Sequence, residues 1–507
     1  MTTAALDALS DIDELRQVSL RLIAERDAEI ARKSTRIEHL ELLLNTLRRQ
    51  RYGARSEQFN AEQHGLWDAA LGEDVAATTA AVEQIAPPRE RERAKPKRQP
   101  LPDTLPRVEE RIEPASCTCD ACGGALHTIG EEVSEKLDIK PVEFFVRRII
   151  RPKLACRACE TIQTPPTLPA IIERGIPAPG LLAHVLISKY ADHLPLTRQS
   201  DMLGRSGVEL PVSTLCEWVG VTGFALQPLV DALRDELHRA RVVHADETPV
   251  QMLDPGHGKT RTAYLFAYRR GEIAEPPIIV FDFAQSRSGK HARAFLAEYG
   301  GALVVDDYAG YKHLFQSTPM RELGCWAHAR RKFFELHEAN QSPLAAEVIP
   351  RIAAIYDVER EAKDMTASER LAHRQQHARP KVEALLDWLE GLRPKINSGS
   401  ATAKAVDYLL RRKAAFTAYL GDGRFPIDNN PVENAIRPVA LGRKNWLFAG
   451  SLLAGQRAAN IMSLIQTAKA NGHDPHAYLR DVLTRLPTQL NSRIGELLPH
   501  TWQPATA

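Results

Sequence analysis

The chain has 507 residues, enough for several domains, and its 66 Lys and Arg nearly balance 64 Asp and Glu to give a net charge of +2. Such a balance neither requires nor excludes a nucleic-acid partner, so only local clustering of charge is informative. The N-terminus MTTAALDALSDIDEL has no basic region followed by an apolar run, and no stretch approaches the roughly 18 apolar residues of a membrane span, which predicts a soluble intracellular protein with no membrane partner. Seven cysteines, five of them between Cys117 and Cys159, suit metal ligation in a reducing compartment better than a disulfide scaffold.

From Leu15 to Gln50 there is neither Gly nor Pro, and Ile23, Ile30, Ile37 and Leu44 recur every seventh residue, with Leu40 and Leu47 filling the other seam position downstream. The pattern predicts a zipper-like coiled coil. Arg26 and Lys33 interrupt the seam, Leu15 and Leu22 suggest a second register, and an amphipathic helix packed on its own chain is the alternative. The basic, aromatic stretch RRQRYGARSEQF (48–59) either touches DNA or is a solvated helix end. Residues 61–115 turn alanine-rich and then Pro- and Arg-rich, which predicts an extended linker.

Two C-x-x-C pairs follow, Cys119/Cys122 and Cys156/Cys159, the spacing at which four thiolates hold a structural zinc. Cys117 leaves C-x-C ligation with Cys119 open. The intervening VSEKLDIKPVEFFVRRIIRPKLAC reads as two strands that bring the knuckles together, and Arg147, Arg148, Arg151 and Lys153 offer phosphate contacts on that hairpin. Between Pro179 and Phe224 three short helices are expected, the last opened by Pro211 and capped by Ser213. Their spacing fits a helix-turn-helix or a small structural bundle.

From Arg241 the texture changes to strands: ARVVHADETPVQML, TAYLFAYRR and PPIIVFDFA, then a helix over SGKHARAFLAEYG and a fourth strand in ALVVDDYAGY. This is the element order of a ribonuclease H-like fold, in which acids on the first strand and at the end of the fourth lie side by side; Asp246 and Asp306 occupy those places. Each alone could merely open a turn or cap a helix. CWAHARRKF then places Cys325 and His328 three apart before the basic run Arg330, Arg331 and Lys332. Residues 343–420 read as an inserted block of charged helices without recognisable chemistry, and 452–471 as an amphipathic helix.

In IDNNPVENAIRPVALGRKNWLFAGS, Asn430 is the expected helix cap, Pro431 the first helical residue, and Glu433 a carboxylate on the first turn. Asn430 and Glu433 alone could equally be a capping box, and Arg437 an i, i+4 partner of Glu433. Arg437, Arg443, Lys444 and Trp446 together suit phosphate contact and base stacking. Two sheet carboxylates and a helix glutamate can bind two Mg²⁺ for displacement at a phosphodiester.

Together, the 48–59 stretch, HADET, VDDYAGY, CWAHARRKF, the DNNPVEN-to-FAGS run and the AYL at Tyr478 resemble transposases of the insertion sequence 66 family over nearly the whole chain. The resemblance implies a multidomain α+β protein: a coiled-coil helix (1–60), a linker (61–115), a zinc-binding domain (116–165) and a helical DNA-binding region (166–240). A ribonuclease H-like core follows in two parts (241–342 and 421–472), split by a helical insertion (343–420) and trailed by a C-terminal helix and tail (473–507). It implies a DDE triad on Asp246, Asp306 and Glu433. The family usually has Asp-Gly-Tyr where this chain has Asp306-Asp307-Tyr308, which makes Asp307 a competing ligand. The expected activity is Mg²⁺-dependent cleavage and strand transfer at the terminal inverted repeats of the element, with Mn²⁺ able to substitute for Mg²⁺ and a structural Zn²⁺. Implied partners are double-stranded DNA, at least a second copy of the chain, and small accessory proteins of the same element, in a bacterial cytoplasm at the nucleoid. An inactive repressor derived from a transposase, and a structure-specific nuclease, are the alternatives.

Overall fold

The computed structural model describes residues 101–504 except 102, 104, 114–123, 141–142, 174, 255–256 and 258, together with part of a segment between 20 and 40. Every described residue of that segment is helical and exposed, among them Ile23, Ile30, Ile37 and Leu40. Leu44, Leu47, the 48–59 stretch, and Cys117, Cys119 and Cys122 lie outside the described residues.

A first sheet contains β1 (Arg107–Arg111), β2 (Leu126–Lys140), β3 (Glu143–Cys156) and β4 (Ile162–Gln163), in the order β1-β3-β2 with β4 also on β3. The expected hairpin is present as the antiparallel β2–β3 pair, with buried Leu137 opposite buried Val146. The expected linker is corrected at its end: β1 falls within 61–115 and pairs in parallel with the edge of β3. Exposed ion pairs accompany the pairing: Arg148 of β3 meets Glu109 of β1 at 3.1 Å, and Arg111 of β1 reaches Glu131 of β2 at 2.9 Å.

Four helices follow: α1 (Pro179–Tyr190), α2 (Leu196–Arg205), α3 (Val212–Ala225) and α4 (Gln227–His238). The residue preceding α3 is Pro211, and Ser213 makes no cap bond. The helix-turn-helix expectation meets a physical obstacle. Helix α3, which would have to enter a groove, buries Leu215, Cys216, Trp218, Val219, Gly220, Thr222 and Gly223, leaving only a narrow exposed face.

The second sheet holds β5 (Val242–Asp254), β6 (Lys259–Arg270), β7 (Ile279–Ala284), β8 (Ala302–Val305) and β9 (Arg321–Gly324) in the order β7-β6-β5-β8-β9. The first three strands are antiparallel, whereas β8 and β9 run parallel to β5 and to each other. Helix α5 (Gly289–Phe295) separates β7 from β8, and α6 (Ala309–Ser317) separates β8 from β9. Strand β9 was not expected, since RELG is too short to show alternation; it is fixed only by pairing with β8.

After α7 (Trp326–Asn340) come α8 (Pro343–Glu361), α9 (Ala367–His373), α10 (Arg379–Leu392), α11 (Ala401–Leu410) and α12 (Lys413–Thr417). They build a core of their own that includes Ile352, Leu386 and Phe416 and continues onto Val304 and Leu323 of the sheet. Its charges are structural. Arg374 is fully buried, binds both carboxylate oxygens of Glu359 at 2.8 and 2.6 Å, and donates to the carbonyls of Tyr419, Asp422 and Phe425. Buried arginines of this kind are tolerated because every lost water is replaced by a directed bond.

Helix α13 (Asn430–Trp446) lies on β5 and β6, α14 (Leu452–Ala470) on β7, and α15 (Pro475–Arg485) on α1. Helix α14 is not amphipathic as expected. It is buried nearly all round, and Gly455 allows the close approach to β7, because a methyl there would lie 2.3 Å from the Phe283 ring. The C-terminal tail is anchored by buried Leu497, Leu498 and Trp502.

Candidate active site

The start of α13 is bolted to β5 by a residue that the sequence reading passed over. Asn429 has no solvent exposure; its Oδ1 meets His244 Nδ1 at 3.0 Å and its Nδ2 donates to the Ala245 carbonyl at 2.9 Å. Its backbone N–H donates to Cys325 Sγ at 3.1 Å. Burial, reinforced by nearby Arg269, pushes the His244 imidazole down to about 3, so it acts as a neutral hydrogen-bonding group. The expected cap is displaced by one residue: Asn429 precedes the helix, and no side-chain cap bond or capping box forms. Asn430 Nδ2 instead donates to Asp428 Oδ2 at 2.8 Å, which also accepts from the Tyr356 hydroxyl at 2.8 Å.

This arrangement brings the three expected acids within electrostatic reach of one another. Burial is the main cause that pushes the Asp246 carboxyl up to about 7; neighbouring Glu247 adds to it, and Asp306 and Glu433 both push the same way. Asp306 follows β8, and its Oδ1 accepts the Tyr308 N–H at 2.8 Å. Arg412 from the insertion donates to the carbonyls of Val305 and Asp306 at 3.3 and 3.0 Å and to Glu322 at 2.8 Å. Asp307 is exposed and faces cations, with Lys312 at 3.2 Å and Arg412 at 3.9 Å. Glu433 faces Arg331 at 3.4 Å and His328 at 3.5 Å rather than Arg437.

Glu247 was also missed. It accepts from Arg287 at 2.8 Å and from the Tyr311 hydroxyl at 3.1 Å, and burial raises its carboxyl. A signal was present in HADET, where alternation puts His244 on the same strand face as Asp246; that the first Asn of DNNP faces inward is fixed by tertiary contact. Carboxylates drawn from three elements into a half-buried cleft, with one pushed toward neutrality, fit divalent cations, whose charge would favour the ionised form.

The expected DNA-contacting residues divide into two groups. Arg330, Arg331 and Lys332 are exposed on α7, with Arg331 reaching Glu433, and Arg437 and Lys444 are exposed on α13. Arg443 is instead tied to β5, donating to Thr248 Oγ1 at 3.3 Å and the Pro249 carbonyl at 2.8 Å. Trp446 is half-buried on a cavity of about 100 Å³ shared with Tyr190 and Phe448. It lies 13 residues beyond Glu433, about 20 Å along the helix, and is not a free stacking surface. Arg147 and Arg148 are engaged by Asp138 and Glu109, each at 3.1 Å. Cys156 is buried at the end of β3, and Cys159 is exposed in the turn that follows, which closes through Glu160 N–H to the Cys156 carbonyl at 2.9 Å. Cys119 and Cys122 lie outside the described residues.

Four family models match. The Transposase IS66 family covers residues 174–457, the IS66 C-terminal element 463–500, the zinc-finger binding domain of transposase IS66 116–160, and Transposase C of IS166 homeodomain 39–109. An uncharacterised protein of Sinorhizobium fredii, y4hP, is 36% identical over 498 residues, spanning 92% of this chain and 89% of its own. Another from that organism, y4qI, is 35% identical over 541 residues and 99% of each chain, and y4jD is 39% identical over 417 residues, 80% of this chain and 81% of its own. The zinc-finger match supports a structural Zn²⁺ in the Cys156/Cys159 module and, with the family, DNA as a partner. No described helix is long and apolar enough to cross a membrane. The chain belongs to the insertion sequence 66 family of transposases.

Proposed function

We propose that the chain binds the terminal inverted repeats of its element and catalyses metal-dependent cleavage and strand transfer of DNA, with Asp246, Asp306 and Glu433 as the catalytic acids. The observation that carries this reading is the convergence of Asp246 on β5, Asp306 at the end of β8 and Glu433 on the first turn of α13, near enough that Asp306 and Glu433 both push the Asp246 carboxyl up. The strand order β7-β6-β5-β8-β9, antiparallel then parallel, supports a ribonuclease H-like core. The outward turn of Asp307 toward Lys312 and Arg412 favours Asp306 as the ligand.

Asp246 and Asp306 would hold divalent ions from a rigid sheet, and Glu433 would close the site from α13. Bound Mg²⁺, with Mn²⁺ as substitute, supplies an activated oxygen and stabilises the leaving one. Phosphoryl transfer otherwise needs positioning and charge neutralisation. Arg331, drawn from Glu433 to a phosphate, would do both, with Arg330, Lys332, Arg437 and Lys444 extending the contact along the strand. A groove of about 720 Å³ beside Asp307 is of mixed charge, lined by Lys312, Lys332, Lys404 and Arg411 together with Glu322 and Asp407, and Lys332 and Lys404 would supply its phosphate contacts. Cleavage and joining would share this site without a covalent protein intermediate. The exposed stripe of Ile23, Ile30 and Ile37 would pair with a second copy, and accessory proteins of the element would complete the complex at the nucleoid.

The test is cleavage and joining of labelled DNA carrying the element's ends. Asp246→Asn, Asp306→Asn and Glu433→Gln should each abolish chemistry while Asp307→Asn does not. End binding without metal-dependent chemistry, accessory proteins supplied, would instead identify a repressor, and cleavage without joining a nuclease.

A further inference from the structure

Beside the carboxylate cleft, three donor atoms from two helices face one another. Cys325 immediately precedes α7, His328 lies one turn along it, and Glu433 sits on the first turn of α13. A sulfur, an imidazole nitrogen and a carboxylate oxygen of these residues all lie within 4.8 Å of one another. Two of the donors are unsatisfied. His328 Nδ1 and Glu433 Oε1 are shielded from water and, although 3.5 Å apart, make no hydrogen bond to each other or to anything else. Cys325 is fully buried, and its sulfur accepts the Asn429 N–H.

Leaving a buried nitrogen and a buried oxygen unpaired carries a desolvation cost for each. A cation between the three donors would remove that cost, and the donor set selects its class. Sulfur with nitrogen and one oxygen suits Zn²⁺ and similar thiophilic ions, whereas Mg²⁺ prefers oxygen alone. We propose that Cys325, His328 and Glu433 form a binding site for a thiophilic divalent cation of the Zn²⁺ class, distinct from the cysteine module at 116–160. Binding releases the Cys325 thiol proton to solvent as the sulfur–metal bond forms. The Asn429 N–H then donates to a thiolate, the outer contact that tunes metal–sulfur bonds. The site deepens the proposed function in that it shares Glu433: Oε1 belongs to the new site, while Oε2 faces Arg331.

Co²⁺ titration of the metal-stripped full-length chain, followed by absorption, tests the proposal without calling on DNA cleavage. An inactive parent would overturn the transposase reading while leaving this result intact. Cys325→Ala and His328→Ala should each bind one equivalent fewer than the parent and lose one sulfur-to-cobalt charge-transfer contribution in the first case. Glu433→Gln should weaken the same equivalent more than about tenfold. Cys156→Ser should keep the Cys325-dependent equivalent. His328 is partly exposed, so its variant guards against misfolding of the Cys325 variant, with circular dichroism as the check. Equal stoichiometry in parent, Cys325→Ala and His328→Ala overturns the site.

Discussion

The sheet of β1, β2 and β3 and the cleft at the end of β5 are both dense in charge, and they use it in opposite ways. On that sheet the arginines have counter-charges across the strands: Arg111 with Glu131, Arg147 with Asp138, Arg148 with Glu109, Arg151 with Glu132. At the cleft, Asp246, Glu247, Asp306 and Glu433 crowd together, and Asp246 is held near neutrality by burial first and by these like-charged neighbours second. Paired charge orders a surface at little cost, whereas like charge held together by surrounding structure is poised to receive an external cation.

The sharpest way to break this comparison is to neutralise the cleft. Asp246→Asn and Asp306→Asn should lower metal-dependent cleavage by about a thousandfold or more, the scale of the several kcal/mol that bound ions contribute. Asp246→Asn should not cost folding stability, because it removes a carboxylate that burial and like-charged neighbours already disfavour. The same asymmetry gives a pH signature. A carboxyl whose folded pKa is about 7 against an ordinary value near 3.8 makes the native state bind more protons between those limits. Stability of the metal-free protein should therefore fall as pH rises from about 4 to 7, and Asp246→Asn should remove part of that slope. Mn²⁺ should reverse the loss at pH 8 in the parent and not in the variant; thermal melts across pH would show it.

Next in size is the bolt between the two halves of the core. Asn429→Ala strands His244 Nδ1 and the Ala245 carbonyl in a dry interior, which should cost roughly 2–5 kcal/mol and depress cleavage by loosening the helix that carries Glu433. Denaturant melts of parent and variant measure the first effect. A substitution to Asp, which keeps an acceptor but loses the donor to Ala245, should fall between them.

Arg412 tests whether the insertion is a passenger. Its guanidinium leaves the helical block to hold the carbonyls on either side of the Val305–Asp306 peptide. Arg412→Met keeps much of the apolar stem and removes that hold, so cleavage should drop between about ten- and a hundredfold, as expected for a displaced catalytic group, while binding to DNA ends persists. An unchanged rate would mean that β8 alone fixes Asp306.

The strands that place Asp246 and Asp306 were readable because each is an apolar run with β-branched residues, bounded by turns, and the helix carrying Glu433 because Pro431 marks its first turn. What escaped were features fixed only by tertiary contact. Strand β9 has four residues and exists through pairing with β8. Helix α14 is buried nearly all round, so an amphipathic stripe was the wrong expectation. Asn429 and Arg412 look like ordinary polar residues in a one-dimensional reading, and only the fold reveals which carbonyls they reach.

The smallest effect belongs to the first sheet, and its smallness is what the comparison requires. Arg148→Ala removes one member of an exposed pair with Glu109, and such pairs add little to stability because solvent screens them. The melting temperature should barely move. If Arg148 were instead a phosphate contact, the variant would bind element ends more weakly and with a shallower dependence on salt, by about one counter-ion released. A salt titration of end binding for Arg148→Ala beside Arg330→Ala separates the two. Only Arg330, which has an aromatic neighbour in Phe334 and no carboxylate partner among the described residues, should change the slope.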